Sequence, residues 1–326
     1  MRFATQRWIA AFAGGAFMLA AGYTAHAQTY PTKPIRVVVP YPAGGATDFF
    51  ARTVFPKMSD SLGQPLVIEN KPGAGTTIGA AEVARSAPDG YTILLGDSGT
   101  YAFNVSLYKK PSYHPLKDFA PVSQTGRFAL VLVVNSAAMK VNSLKEFVDT
   151  VKSKPGIDYA MAPGSPVHLA MELFRRTAGL ELTPIPYKGG GDAINDLVGG
   201  RVPIMILDIS TALSQVRGGK LRALAVASDK RMPALPNVPT IGESGYPGFE
   251  AWAWQGFVVP VGTPRPVIDR LNAAFKKVMA EPAVLAKLSE SGFEPQTSTP
   301  EQFGAYMKSE IAKWEKVIRD GNISLD

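Results

Sequence analysis

From Ile35 onward, short aliphatic runs alternate with longer stretches whose apolar residues recur at three- and four-residue spacing, the pattern of strands followed by helices. Residues 35–39 predict a strand and 47–62 an amphipathic helix. A second strand follows at 66–69, a helix at 77–86, and a third strand at 91–95 behind the turn signal Pro88-Asp89-Gly90. Strands separated by helices of this length pair in parallel, so the run predicts an α/β fold with a doubly wound sheet.

A second series predicts strands at 130–134, 158–161, 183–186, 202–206 and 223–227, with helices at 144–152, 167–179, 192–198 and 213–216 between them. The pattern then breaks at Pro233, Pro236, Pro239 and Pro247. A strand at 256–259 follows, then helices at 266–280, 282–291 and 300–320, each with proline in its first turn. The chain is expected to leave domain 1 (28–124 plus 246–326) near residue 125, build domain 2 (125–245), and return near 245. Two crossings of this kind make a hinge, and two lobes on a hinge make a clamp.

Three loops follow predicted strands and open predicted helices, where α/β sheets present ligand sites. In Tyr41-Pro42-Ala43-Gly44-Gly45-Ala46-Thr47-Asp48 the paired glycines let backbone N–H groups converge on an anion at the helix start. Asp48 has two readings, as a cap that uses those N–H groups itself or as part of the ligand site. Pro163-Gly164-Ser165-Pro166-Val167-His168 repeats the design in the other domain, and His168 reads either as a carboxylate donor or as a structural side chain. Tyr187-Lys188-Gly189-Gly190-Gly191-Asp192 is the third.

Composition narrows the chemistry. Net charge +7 is spread over isolated basic pairs, which gives no footprint for nucleic acid. With no cysteine, disulfides, thiolate nucleophiles and thiolate metal sites are excluded. The few histidines lack metal-ligand spacing, so neither metal nor cofactor is expected. Gly73-Ala74-Gly75-Thr76-Thr77-Ile78-Gly79 places its third glycine one residue late for a dinucleotide fingerprint. Gly96-Asp97-Ser98-Gly99 resembles the serine segment of trypsin-like proteases, so a secreted hydrolase using Ser98 is the enzymatic alternative. At the start, Arg2 and Arg7 precede the uncharged run 8–21 and then Ala25-His26-Ala27, the order of a cleaved signal peptide over 1–27. That run falls short of the roughly 20 residues of a spanning helix. Export to the periplasm is the expectation.

Pro40-Tyr41-Pro42-Ala43-Gly44-Gly45-Ala46-Thr47-Asp48, Asn70-Lys71-Pro72-Gly73-Ala74-Gly75, Pro88-Asp89-Gly90-Tyr91-Thr92 and Asp118-Phe119-Ala120-Pro121-Val122 resemble the Bug-type periplasmic receptors of tripartite tricarboxylate transporters. Gly164-Ser165-Pro166, Tyr187-Lys188-Gly189, Asp196-Leu197-Val198-Gly199-Gly200 and Pro236-Asn237-Val238-Pro239-Thr240 extend the match along the chain. The resemblance implies a two-domain periplasmic binding protein of the Venus flytrap, type II-like kind, each domain a mainly parallel sheet flanked by helices. It implies a monomer without catalysis that captures a small carboxylate and delivers it to membrane transporter subunits. A receptor that presents its ligand to a sensor kinase has the same cleft. The ligand-binding candidates are Tyr41, Gly45, Ala46, Thr47, Asp48, Phe49, Ser98, Arg127, Ala162, Gly164, Ser165, His168 and Asp208, with one carboxylate between the loops 41–48 and 162–168. Phe49-Phe50, Arg127-Phe128 and Met161 depart from the family's usual residues. They read either as a subsite in which Arg127 meets a second carboxylate of an aromatic or aliphatic dicarboxylate, or as core aromatics beside a hinge salt bridge.

Overall fold

The computed structural model describes residues 30–187 and 190–325, so the signal-peptide segment and Lys188 lie outside the described residues. β1 (Ile35–Val39) is aliphatic except for Arg36, and the rest of its side chains are fully buried. α1 (Ala46–Leu62) buries Phe50, Val54 and Met58, spaced four apart on one stripe, and ends at Gly63 in the left-handed conformation. β2 (Leu66–Asn70), α2 (Thr77–Ala84) and β3 (Thr92–Asp97) complete a first unit. A π-helical turn at Gly99–Phe103 then leads into α3 (Asn104–Leu107).

β4 (Phe119–Asn135) is 17 residues long and serves two sheets. The second unit comprises α4 (Leu144–Ser153), β5 (Ile157–Met161), α5 (Pro166–Thr177), β6 (Leu182–Pro186), α6 (Gly190–Val198), β7 (Ile204–Asp208), α7 (Ile209–Arg217) and β8 (Leu221–Val226). The chain returns through β9 (Trp252–Pro260), α8 (Arg265–Met279), α9 (Pro282–Glu290), β10 (Phe293–Pro295) and α10 (Pro300–Asp320).

The strand order is β2-β1-β3-β9-β4-β7-β5-β6, with β10 and β8 also on β4. β1 is parallel to β2 and β3, and β5 to β6 and β7, as helix-linked strands should be. The pairs that join these runs, β3 with β9, β9 with β4, and β4 with β7, are antiparallel because the chain crosses between halves there without a returning helix. β4 pairs with β9 up to Ala129 and with β7 from Leu130. Past that switch, Leu130, Leu132 and Val134 enter one hydrophobic cluster while Val131 and Val133 enter the other. Burial on both faces explains why this stretch is a continuous apolar run. Among the described residues, no helix is long and apolar enough to cross a membrane.

Candidate functional site

The loop after β1 turns through Gly44, whose φ of 88° suits glycine, and delivers Gly45 as the N-cap of α1. Gly45 is extended and offers no side chain, so the first-turn N–H groups at Ala46 and Thr47 have no side-chain cap. They carry the positive end of a 17-residue helix. Asp48 does not supply the missing cap. Its Oδ2 accepts from Gly44 N at 2.9 Å and from Arg52 Nε at 2.9 Å, and its Oδ1 accepts from Asn70 Nδ2 at 3.0 Å. Burial opposes its ionisation, but hydrogen bonds from Arg52, Gly44 and Asn70 outweigh it and hold this carboxyl below the usual range. Asp48 thus braces the loop from behind. Thr47 is buried and its Oγ1 accepts from Gln255 Nε2 at 2.8 Å, which leaves its own proton free to donate.

The opposite jaw has the same outline but a different electrical state. Ser165 caps α5: its Oγ accepts from His168 N at 3.4 Å and donates to Ala162 O at 2.6 Å. Its proton is therefore committed to Ala162. His168 is buried, and its Nδ1 accepts from Gly164 N at 3.3 Å. Burial lowers its pKa, so the imidazole is neutral and shapes the loop. These loops approach each other closely. A methyl group on Gly99 would lie 2.8 Å from Gly164 O, and one on Gly75 would lie 3.7 Å from Pro163 O.

Two acidic side chains stand at strand ends, one at the end of β3 and one at the end of β7. Asp97 Oδ1 accepts from Tyr41 OH at 2.6 Å, Gly99 N at 2.9 Å and Thr100 N at 3.3 Å. Burial nevertheless pushes the pKa of Asp97 up to about 6, against those hydrogen bonds. Asp208 begins α7 but makes no side-chain capping bond to it. Burial, then the charge of Asp97, raises it to about 7. Ser98 is fully buried and its Oγ has no hydrogen-bond partner, so no base activates it as a nucleophile.

Tyr41, Gly45, Ala46, Thr47, Ser98, Ala162, Gly164, Ser165, His168 and Asp208 all sit at the carboxyl ends of β1, β3, β5 and β7 or on the loops and helix starts that follow them. Arg127 does not join them. Its guanidinium lies 3.0 Å from Glu294, 3.7 Å from Glu250 and 3.8 Å from Asp229, and stacks 3.7 Å over the Trp252 ring. Three carboxylates and an aromatic face leave it no need of a fourth anion, so the hinge salt-bridge reading is the one this geometry carries. Phe50 and Phe128 are fully buried against Phe293, which makes them core. Phe49 is half-buried, with Lys287 of α9 at 5.9 Å from its ring. Sequence reasoning missed Asp97 and Gln255. The signal for Asp97 was its place at a strand's carboxyl end, beside the serine that drew attention instead.

Residues 50–323 match the model of the tripartite tricarboxylate transporter family receptor. Protein BugT of Bordetella pertussis is 40% identical over 316 residues, which cover 95% of this chain and 97% of that protein. Among solved structures, an R. palustris protein with adipate is 35% identical with a TM-score of 0.86, covering 90% of this chain and 99% of that one. MatC from Rhodopseudomonas palustris with bound malate is 36% identical with a TM-score of 0.83, covering 89% of this chain and 100% of that one. The architecture is that of the two-domain periplasmic binding proteins. On a match that runs through both halves, this chain belongs to the receptors of the tripartite tricarboxylate transporter family.

Proposed function

We propose that the chain is a periplasmic solute receptor that shuts two jaws on a small carboxylate and hands it to the membrane subunits of a tripartite tricarboxylate-type transporter. The carrying observation is the uncapped first turn of α1, whose N–H groups stand beside the free proton of Thr47 at the junction of the jaws. An anion is the natural occupant of such a helix start. Asp48, turned to Gly44, Arg52 and Asn70, does not compete for those groups. Adipate and malate, bound by the two R. palustris relatives, make dicarboxylates the first ligands to try. Their second carboxylate meets no arginine in this reading, because Arg127 is engaged elsewhere.

In the same proposal, residues 1–27 export the protein, 28–124 with 246–326 form one jaw, and 125–245 form the other. The hinge lies where β4 passes from β9 to β7 and where Ala251 N donates to Ala227 O on the return. The protein acts as a monomer and without catalysis. The partnerless Ser98 argues against the hydrolase alternative, which needs a base within reach. A thermal-shift screen of mono- and dicarboxylates tests the reading, since a ligand that binds only the folded state at 100 times its Kd adds about 2.7 kcal/mol. No shift with any carboxylate at millimolar concentration refutes it. Recovery of a chemically altered ligand by mass spectrometry refutes the absence of catalysis.

A further inference from the structure

We propose that residues 321–325, which follow α10, act as a strap across the seam between the jaws, holding them shut and setting how long a ligand stays inside. The inference rests on the two-jaw reading above and adds a device that controls its closing.

The strap takes its direction from the end of α10. Asn322 N donates to Arg319 O and Ile323 N donates to Ile318 O, with Asn322 at a φ of 48°. This is the bond pattern of a helix stop that reverses the chain through one left-handed residue, a conformation asparagine tolerates. α10 itself is fixed to the jaw formed by 28–124 and 246–326. Trp314 and Ile318 are buried, and the Trp314 ring packs edge-on against Phe103 at 4.8 Å. The reversed chain then reaches α3, where Leu325 N donates to Leu107 O at 3.1 Å, one of the carbonyl groups that a helix end leaves open.

Both ends of this segment also grip the other jaw. A methyl group added to Gly164 would lie 3.1 Å from Leu325 Cδ1 and 3.7 Å from Leu107 Cδ1, so the crest of the 162–168 loop sits against the leucine pair. At the opposite end of α5, Arg176 in the last turn donates to Asp320 O. The strap thus meets α5 ahead of its first turn and at its last. On its own side it is held more thinly, because a cavity of about 420 Å³ lies between it, Val105 and Ser106 of α3, and Glu315 of α10.

Ile323 and Leu325 are half-buried. Swinging α5 away would return apolar surface of Leu325 to water and leave Asp320 O with water in place of Arg176. Only the shut arrangement collects these contacts, so the strap biases the equilibrium between open and shut, and apparent affinity follows the population of the competent state. A ligand enters while the jaws are apart. The strap should therefore act on release more than on capture.

Spin labels test this, since the chain has no cysteine and labels go only where one is introduced. On Asp60→Cys and Lys152→Cys, exposed positions in α1 and α4, double electron–electron resonance reads the separation of the jaws, alone and over titrations of adipate and of malate. Leu325→Asp and Arg176→Ala, each shown to be folded by its melting curve, should lower the ratio of short to long distances about threefold or more at a given acid concentration. An acid that binds the wild-type protein should leave both variants about threefold faster or more in stopped-flow, with its association rate within about twofold. Jaws that move in the wild type but keep the wild-type ratio and release rate in either variant overturn the strap and leave the two-jaw reading standing. One distance common to all three proteins and unmoved by either acid overturns both.

Discussion

Replacing Gly45 by aspartate should turn the protein into its own inhibitor. Gly45 has φ −81° and ψ 175°, a conformation any residue adopts, and a Cβ there would find its nearest neighbour, Pro42 O, at 3.9 Å. The new carboxylate can cap the first turn of α1 and occupy the place assigned to the ligand. Capping, the helix dipole and the loss of glycine's freedom in the unfolded chain should together add about 1 kcal/mol of stability. A ligand must then displace this tethered group and bind beside it. Displacement costs about 1 kcal/mol, and two like charges about 4 Å apart repel by about 1–4 kcal/mol between water-like and surface dielectrics. Affinity should fall by roughly 30- to 4000-fold, at 1.4 kcal/mol per decade. Gly45→Ala is the control, because it keeps the N–H groups uncapped and should bind within threefold of the wild type. Melting curves and calorimetry on the three proteins give both quantities. Gly45→Asp that melts higher yet binds the carboxylate unchanged would show that the start of α1 is not where the anion sits.

Gly99→Ala inserts a methyl group 2.8 Å from Gly164 O, so closing the jaws should cost about 1–3 kcal/mol and calorimetric affinity should drop about 5- to 150-fold; unchanged binding would mean that these loops do not meet in the bound form. Arg127→Ala should leave ligand affinity within threefold while lowering the melting temperature, because its partners are Glu294, Glu250, Asp229 and Trp252; a selective loss of dicarboxylate binding restores the subsite reading. Asp97 and Asp208 have folded pKa values of about 6 and about 7, above the ordinary 3.8, so the folded protein retains protons that the unfolded chain has released. Their contribution to stability therefore falls as pH rises from about 4 to 7 and then levels off. Asp208→Asn removes part of that decline, and its melting curve should draw level with or pass the wild type by about 1–3 kcal/mol at pH 8, with the difference shrinking toward pH 4.5; a constant difference refutes the assignment.

Much of the fold was legible wherever burial alone fixed the pattern. Ile35–Val39 reads as a strand because both of its faces are covered, and α10 reads as a helix because Thr299 caps it, Pro300 opens it, and Gln302 returns a bond to the cap. The first half of β4 was not legible. Pro121, Ser123, Gln124, Thr125 and Gly126 look like a linker, yet pairing with β9 holds them in a strand with two register shifts. Gly126 shows why local rules fail there: its φ is 142°, and an added Cβ would lie 2.3 Å from Glu294 O across the β10 ladder. The three residues of β10 were equally silent, since they are a strand only because β4 accepts them. In the candidate site, the glycine turns announced themselves through spacing. The effect of Asp97's charge on Asp208 did not, because it depends on how the two strand ends are placed by the fold and no local sequence encodes that.

The 17-residue span of β4 ties the thermodynamics of the two halves together. Melting either sheet would strip one side of the strand and leave its N–H and C=O groups bare in the other. The halves should therefore unfold as one cooperative unit, with a single calorimetric peak, although each has a hydrophobic cluster of its own. Mechanically, the strand behaves as a torsion bar: twisting it is cheap and reversible, whereas parting it costs the whole fold.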